Sequence, residues 1–126
     1  MHHTIFLCFA LLIPLIFLGG CAPPDAYHKI TPQAGYEMMK KEEITLIDVR
    51  EPAEYQQGHI PGARLIPLGT IDETIKDKLP DKKKPLIVYC RSGVRSKKAA
   101  MKLVELGYTD VRDMGGILDW PYEIEK

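Results

Sequence analysis

Cys90 is the strongest candidate nucleophile in the sequence, because it lies between a strand-like segment and a helix-like segment. The residues from Pro85 to Tyr89 are nearly all apolar, which is typical of a strand covered on both faces. The stretch from Arg91 to Arg95 forms a short loop that contains Gly93. This order of strand, cysteine, tight loop and helix predicts that the sulfur atom lies at the N-terminus of the helix.

The predicted loop surrounds Cys90 with hydrogen-bond donors and positive charge. Curled loop amides and the N-terminus of a helix beginning at Ser96 favour a negative charge on the sulfur. The guanidinium groups of Arg91 and Arg95 add full positive charges, and the hydroxyl of Ser92 can donate a hydrogen bond. The thiolate is the nucleophilic form of cysteine, so we predict that Cys90 is catalytic. The predicted substrate-binding residues are Arg91, Ser92, Gly93, Val94, Arg95 and Ser96.

Cys90 and Arg91 also have simpler interpretations. A cysteine that ends an apolar strand is a common core residue, and Arg91 alone fits a solvated side chain. Arg95, however, lies where a positive charge opposes the helix macrodipole, which favours an anion-binding role over a structural one.

The N-terminal residues have a different composition. The fourteen residues from Ile5 to Leu18 form an apolar segment that Pro14 interrupts. This segment is shorter than the roughly 20 residues that a membrane-spanning helix needs. Leu18-Gly19-Gly20-Cys21 resembles the lipobox of bacterial lipoproteins. We therefore predict a signal peptide at residues 1–20 and a lipidated tether at residues 21–27, with an uncleaved anchor or a plain secreted form as alternatives.

The cysteine positions sharpen the prediction for Cys90. Cys8 leaves with the signal peptide and Cys21 carries the lipid, so the mature domain keeps one free thiol. The predicted location is the bacterial cell envelope, on the periplasmic or extracytoplasmic face. Exported proteins usually use cysteines in disulfides, so a lone thiol there calls for an explanation as a core residue or a reactive group.

The remaining chain alternates strand and helix patterns, which predicts an α/β domain around a mainly parallel sheet. Short strands are predicted at 27–30, 45–49, 63–67, 85–90 and 111–114. Helices are predicted at 32–41, 52–57, 72–79, 96–106 and 117–124, with a turn at Gly115-Gly116. Lysine plus arginine and aspartate plus glutamate each number 17, so nucleic acid is not an expected partner.

Three segments resemble the landmark regions of single-domain rhodaneses: Leu46 to Leu68, Leu86 to Ser96 and Tyr108 to Trp120. The resemblance implies a rhodanese domain at residues 28–126, a three-layer α/β fold with a central five-stranded parallel sheet flanked by helices. It also implies a sulfurtransferase in which Cys90 takes sulfane sulfur from thiosulfate or a persulfide and passes it to cyanide or a thiol. A monomer without a cofactor is expected.

Two other functions remain as alternatives. One is a non-catalytic sulfur-relay or docking module. The other is a cysteine phosphatase or arsenate reductase of the same fold, but those enzymes separate cysteine and arginine by one residue more than the four between Cys90 and Arg95. The tighter loop favours a single sulfur atom over a tetrahedral phosphate.

Other polar residues near the motifs are predicted to be structural. Arg50 and Glu54 are four residues apart and are expected to pair, with Asp48 as part of the same scaffold or as a pocket residue. His59 belongs to a turn set by neighbouring glycines and proline, and Trp120 is expected to cover the core. The histidines and the single free cysteine do not form a metal site.

Overall fold

The computed structural model of the protein describes Pro23 and residues 25–126. The predicted signal peptide and the lipidation site at Cys21 lie outside this part of the chain. Within it, no helix combines the length and apolar composition needed to cross a bilayer.

Five parallel strands form one sheet in the order β1-β5-β4-β2-β3. The central strand, β4, is buried along its whole length, which explains its continuous apolar sequence. The strands are β1 (Tyr27–Lys29), β2 (Thr45–Asp48), β3 (Arg64–Leu65), β4 (Leu86–Cys90) and β5 (Val111–Gly116).

In the described part of the chain, three α-helices flank the sheet: α1 (Pro32–Lys41), α2 (Pro52–Gln57) and α3 (Val94–Glu105). Thr31 caps α1, because its hydroxyl accepts the N–H of Ala34, and proline occupies the first helical position. Short 3-10 turns lie at Leu68–Thr70, Glu73–Asp77 and Ile117–Asp119. The turn at Glu73–Asp77 replaces the small helix predicted at 72–79.

Apolar side chains pack on both faces of the sheet. One cluster includes Val88 and Leu103, and the other includes Ile87 and Tyr89. Successive residues of β4 thus point to opposite faces and enter both clusters. The predicted α/β fold with a five-stranded parallel sheet is confirmed.

The helix that follows Cys90 begins at Val94, two residues before the predicted start at Ser96. Gly93 adopts a positive φ of 104° as the residue preceding the helix, a conformation that glycine adopts without steric cost. The chain therefore turns sharply enough for Val94, Arg95 and Ser96 to form the first turn of α3, and the loop is shorter than predicted.

The C-terminal region corrects two predictions. Gly115 and Gly116 extend β5 instead of forming a turn, because Gly116 pairs with Cys90 in the sheet. The helix predicted at 117–124 is reduced to the 3-10 turn at Ile117–Asp119. Pro121 explains this difference, since proline disfavours helical backbone in the preceding residue, and Trp120 is extended.

Candidate active site

Cys90 is the last residue of β4, at the carboxyl edge of the sheet, and it is only 1% exposed. The main-chain N–H of Gly93 donates a hydrogen bond to its sulfur, with a nitrogen-to-Sγ distance of 3.0 Å. The positive φ of Gly93 lets the loop turn back so that its N–H reaches the sulfur. Gly93 therefore supplies the first of the predicted main-chain donors.

The first turn of α3 follows Gly93 directly and contains further main-chain donors. The first N–H groups of an α-helix have no intrahelical acceptor, and here they belong to Val94, Arg95 and Ser96. No hydrogen bond among the described residues uses the N–H of Val94 or Arg95. These groups carry the partial positive charge of the helix N-terminus, so they can stabilise an anionic sulfur.

The end of β5 packs closely against the backbone of the active-site loop. A Cβ atom built on Gly116 would lie 2.6 Å from the carbonyl carbon of Arg91 and 2.8 Å from Cα of Ser92. The backbone of Leu118 donates a hydrogen bond to the carbonyl oxygen of Arg91 at 3.2 Å. Gly116 is therefore required for the close approach of β5 to the loop.

Arg95 forms a two-pronged ion pair with Glu54 of α2. The distances are 2.6 Å from Nη1 to Oε1 and 2.9 Å from Nη2 to Oε2. The hydrogen bond from Arg95 is the main reason that the pKa of Glu54 falls from its ordinary 4.5 to about 2. Glu54 thus pairs with Arg95 and not with Arg50 as predicted, and it holds the start of α3 against α2.

Removing this ion pair by Glu54→Gln should reduce the free energy of unfolding by about 1 kcal/mol at pH 7, as for a partly exposed pair of good geometry. Because folding lowers the pKa of Glu54, its contribution is complete above about pH 4.5 and is lost as the pH falls toward 2. Urea unfolding of both proteins at pH 7 and pH 3 checks this. The difference should shrink at pH 3.

Glu37→Gln provides the matched control, because Glu37 faces Lys40 in an ion pair whose side chains are more than half exposed. It should change stability by less than about 0.5 kcal/mol at either pH. Equal effects at the two positions would contradict the structural role of the Glu54–Arg95 pair.

Ser96 is fully buried and faces away from solvent into a polar cluster. Its Oγ lies 2.7 Å from Oδ1 of Asp113 and 3.1 Å from the carbonyl oxygen of Gly93, so its one proton bonds to one of these acceptors. Asp113 also accepts hydrogen bonds from the hydroxyl of Tyr27 at 2.8 Å and from the N–H of Gly115 at 3.0 Å. Burial and this carboxylate raise the pKa of Tyr27 to about 12, so Tyr27 remains a donor. The cluster fastens the loop to β5.

Asp48 and Arg50 form a buried pair beside the site. The Asp48 carboxylate accepts from Nε and Nη2 of Arg50 at 3.0 and 2.7 Å and from the Arg50 N–H at 2.9 Å. Arg50 also donates to the carbonyl oxygen of Gly58 at 2.7 Å. The predicted Arg50–Glu54 contact is absent from the described residues because Arg50 precedes α2, so the helical spacing rule does not apply to it.

Arg91 is exposed at the edge of a cavity of about 420 Å³ next to the loop. Glu54, Leu118 and Trp120 also line this cavity. Leu118 is 66% exposed although it is apolar. Arg91 makes no ion pair with any described residue within 4.0 Å, in contrast to Arg95.

His59 and Trp120 lie in structural positions. The Nδ1 of His59 is 2.9 Å from the carbonyl oxygen of Tyr55, and its ring stacks on Tyr55. Trp120 packs against the second core cluster and donates its indole N–H to the backbone of Glu123. Across the described part of the chain, no group of three or more potential ligands is arranged to hold a metal ion.

The structure therefore brings Cys90, Gly93 and the first turn of α3 together. It directs the Ser96 hydroxyl to Asp113 and the Arg95 guanidinium to Glu54, while Arg91 and Val94 remain exposed. The role of these residues in substrate binding stays a prediction. Sequence reasoning missed the support given by the residues Asp113, Tyr27 and Gly116. The available signals were the two adjacent glycines after the strand predicted at 111–114 and the acid inside that segment.

Comparison with known proteins gives one consistent family. A family model described as Rhodanese-like domain matches residues 31–122. Thiosulfate sulfurtransferase PspE from Escherichia coli is 47% identical over 73 residues, which cover 58% of this chain and 70% of that protein. Thiosulfate sulfurtransferase GlpE from Pseudoalteromonas translucida is 36% identical over 96 residues, which cover 75% of this chain and 90% of that protein.

Comparison with solved structures indicates the same family. A structure described as rhodanese with anions from E. coli superimposes with a TM-score of 0.62 at 42% identity and covers 67% of this chain and 99% of that chain. A rhodanese-like domain protein from Staphylococcus aureus gives a TM-score of 0.65 at 31% identity and covers 78% of this chain and 96% of that chain. The chain therefore belongs to the rhodanese-like domain family, within the sulfurtransferases.

Proposed function

We propose that the protein is a rhodanese-type sulfurtransferase in which Cys90 carries sulfane sulfur as a persulfide. Thiosulfate or a persulfide is the donor, and cyanide or a thiol is the acceptor. The observation that carries this proposal is the position of Cys90 Sγ, 3.0 Å from the Gly93 N–H at the N-terminus of α3. The names of the sulfurtransferase relatives support the same chemistry.

The reaction begins when the Cys90 thiolate attacks the outer sulfur of thiosulfate. A sulfur–sulfur bond to Cys90 forms, the sulfur–sulfur bond of thiosulfate breaks, and sulfite leaves with the bonding electron pair. The terminal persulfide sulfur is anionic, and the N–H groups of Gly93 and the first turn of α3 stabilise it. Cyanide then attacks this sulfur, thiocyanate leaves, and the Cys90 thiolate is restored.

The structure gives less support to phosphatase or arsenate reductase chemistry. Such enzymes need an arginine free to bind the oxygen atoms of a tetrahedral anion. Here both terminal nitrogens of the Arg95 guanidinium are bonded to Glu54. The four residues between Cys90 and Arg95 also make a shorter loop than those enzymes use, which favours a single sulfur atom over a tetrahedral anion.

Replacement of Cys90 by serine tests the proposal. The wild-type protein mixed with thiosulfate and cyanide should form thiocyanate, and Cys90→Ser should reduce the rate to that of the uncatalysed reaction because serine cannot form a persulfide. Lys83→Ala is the control, because it removes an exposed side chain outside the active-site loop and leaves the thiol in place. Full turnover by Cys90→Ser would refute the proposal.

A non-catalytic relay module is favoured by one observation, the near-complete burial of Cys90. Such a module would acquire one sulfur atom on Cys90 but turn over very slowly with cyanide. Multiple turnovers per Cys90 in the thiocyanate assay would exclude it, whereas a single burst of thiocyanate would support it.

We also propose that the protein is exported and anchored to the cell envelope through lipid on Cys21. Cys21→Ala should block lipidation, so the protein should move from the membrane fraction to the soluble fraction or remain unprocessed. The measurement is fractionation of cells followed by the mass of the N-terminal peptide. An intact, unlipidated N-terminus on the wild-type protein, with membrane retention that Cys21→Ala leaves unchanged, would contradict this proposal.

A further inference from the structure

The exposed side of α3 carries more positive charge than the protein as a whole. The helix contains four cationic residues and one acidic residue, whereas the whole chain has equal numbers of each sign. Its first turn contains no acid, although acids are the favoured residues there. Glu54 pairs with Arg95, so among the described residues the positive charge of the helix that forms no ion pair comes from Lys97, Lys98 and Lys102.

These lysines share one face of the helix with two apolar side chains. We define the α3 face as Val94, Lys97, Lys98, Met101 and Lys102, whose spacing places them on one side of α3. All five are exposed. Val94 is 63% exposed and Met101 is 46% exposed, so this face presents apolar surface together with its positive charge.

A shallow groove of about 510 Å³ runs along this face, and its lining consists of four residues of α3 and Leu68. In the described part of the chain, no carboxylate lies within 4.0 Å of the lysines that line it. Asp72 acts electrostatically on Lys102 from beyond that distance, so it offsets part of the charge of Lys102 without forming an ion pair with it. The groove therefore combines an apolar floor with unpaired positive charge.

The groove lies close to the active-site loop. Val94 is the first residue of α3 and follows Gly93, whose N–H contacts the Cys90 sulfur. Met101 is about 10 Å further along the helix, at 1.5 Å per residue. A short peptide segment seated in the groove can therefore extend to the mouth of the loop.

We propose that the α3 face docks an acidic protein partner that exchanges sulfur with Cys90, an inference that rests on the proposed function. The partner presents an apolar side chain flanked by carboxylates, with its cysteine at the loop. Charge complementarity selects this partner, because the lysines attract carboxylates and the Met101–Leu68 floor accepts an apolar side chain. A small anion such as thiosulfate has no apolar group that could pack against that floor.

The transfer to this partner is a thiol–persulfide exchange. The partner's thiolate attacks the terminal sulfur of the Cys90 persulfide, and a new sulfur–sulfur bond forms on the partner. The bond to Cys90 breaks, and Cys90 leaves as the thiolate. No electrons enter or leave the pair of proteins, so no further oxidant or reductant is needed.

Two synthetic peptides test the proposal as acceptors. Both contain one cysteine and one leucine, and the first carries several glutamates that are glutamines in the second. Cys90 is first loaded with sulfur from thiosulfate, and excess donor is removed. The rate of persulfide discharge is then measured at low ionic strength for each peptide and for cyanide.

The decisive variant is the triple substitution Lys97→Glu, Lys98→Glu and Lys102→Glu. It should lower the discharge rate with the glutamate peptide at least about tenfold, because electrostatic attraction changes to repulsion. The rates with the glutamine peptide and with cyanide should change less than about threefold. A control with the same net charge is Lys41→Glu, Lys83→Glu and Lys126→Glu, which alters exposed lysines outside the groove and should leave all three rates unchanged.

Met101→Ser tests the apolar floor separately from the charge. For this test, two further peptides are made with alanine in place of leucine. Met101→Ser should slow discharge by the leucine-containing peptides about fivefold more than discharge by the alanine-containing peptides, because part of the leucine side chain is no longer buried. Equal rates for leucine and alanine peptides with the wild-type protein would overturn the assignment of this floor to a protein partner.

Three outcomes distinguish this proposal from its alternatives. Binding of the wild-type protein to phosphatidylglycerol vesicles through the three lysines, without faster discharge by the glutamate peptide, would overturn it in favour of a lipid surface. If the wild-type protein transfers sulfur to cyanide but does not distinguish the two peptides, the docking surface is wrong while the proposed function stands. Failure with cyanide as well would overturn both.

Discussion

Gly116→Ala should lower the free energy of unfolding by about 3 kcal/mol, and it should slow thiocyanate formation roughly a hundredfold. The alanine Cβ would lie 2.6 Å from the carbonyl carbon of Arg91, and backbone atoms cannot move aside as a flexible side chain does. The main chain of Gly116 is extended, with φ of −121°, so alanine meets no conformational penalty there. The whole effect must come from displacing the active-site loop.

Gly69→Ala is the matched control, because a Cβ atom at Gly69 meets no atom within 4 Å and the residue has no positive φ. Its stability should be unchanged or slightly higher. Urea unfolding and steady-state thiocyanate assays measure both variants. If Gly116→Ala retained wild-type activity and stability, the close contact between β5 and the loop would not be needed for catalysis.

Asp48→Asn should lower the free energy of unfolding by about 3–5 kcal/mol, because it leaves the buried Arg50 guanidinium without its counter-charge. The Asp48 side chain is fully buried, that of Arg50 is 6% exposed, and the closest nitrogen-to-oxygen distance is 2.7 Å. Asp48 also pairs with Tyr89 in the sheet, directly before Cys90. Activity should therefore fall together with stability.

An exposed ion pair provides the comparison. Glu43 is 91% exposed and lies 3.4 Å from Lys84, so Glu43→Gln should change stability by less than about 0.5 kcal/mol. The double variant Asp48→Val with Arg50→Met removes both buried charges and should recover part of the stability lost in Asp48→Asn. Chemical denaturation curves of the three variants measure these differences. Equal losses for Asp48→Asn and Glu43→Gln would contradict the structural importance of the buried pair.

The order of elements around Cys90 was predictable because it depends on local sequence. An apolar strand, a cysteine, a glycine that permits a sharp turn and an amphipathic helix are contiguous, and each pattern has a direct physical cause. The fold followed from the same alternation of elements. The start of α3 was misplaced by two residues because the positive φ of Gly93 could not be read from its neighbours.

The polar partners around the site were not predictable, because they join residues that are far apart in the sequence. Arg95 contacts Glu54, which is 41 residues away, and Ser96 contacts Asp113, which is 17 residues away. The local rule that pairs residues four apart instead suggested Arg50 with Glu54. That rule applies within a helix, and Arg50 lies before the helix begins.

The intact mass of the protein after incubation with thiosulfate tests the central claim most directly. The wild-type protein should gain the mass of one sulfur atom, and cyanide should remove that gain. Cys90→Ser, in which Cys8 and Cys21 are unchanged in the full chain, should gain nothing. An equal gain in both proteins, or no gain in the wild-type protein, would contradict a persulfide on Cys90.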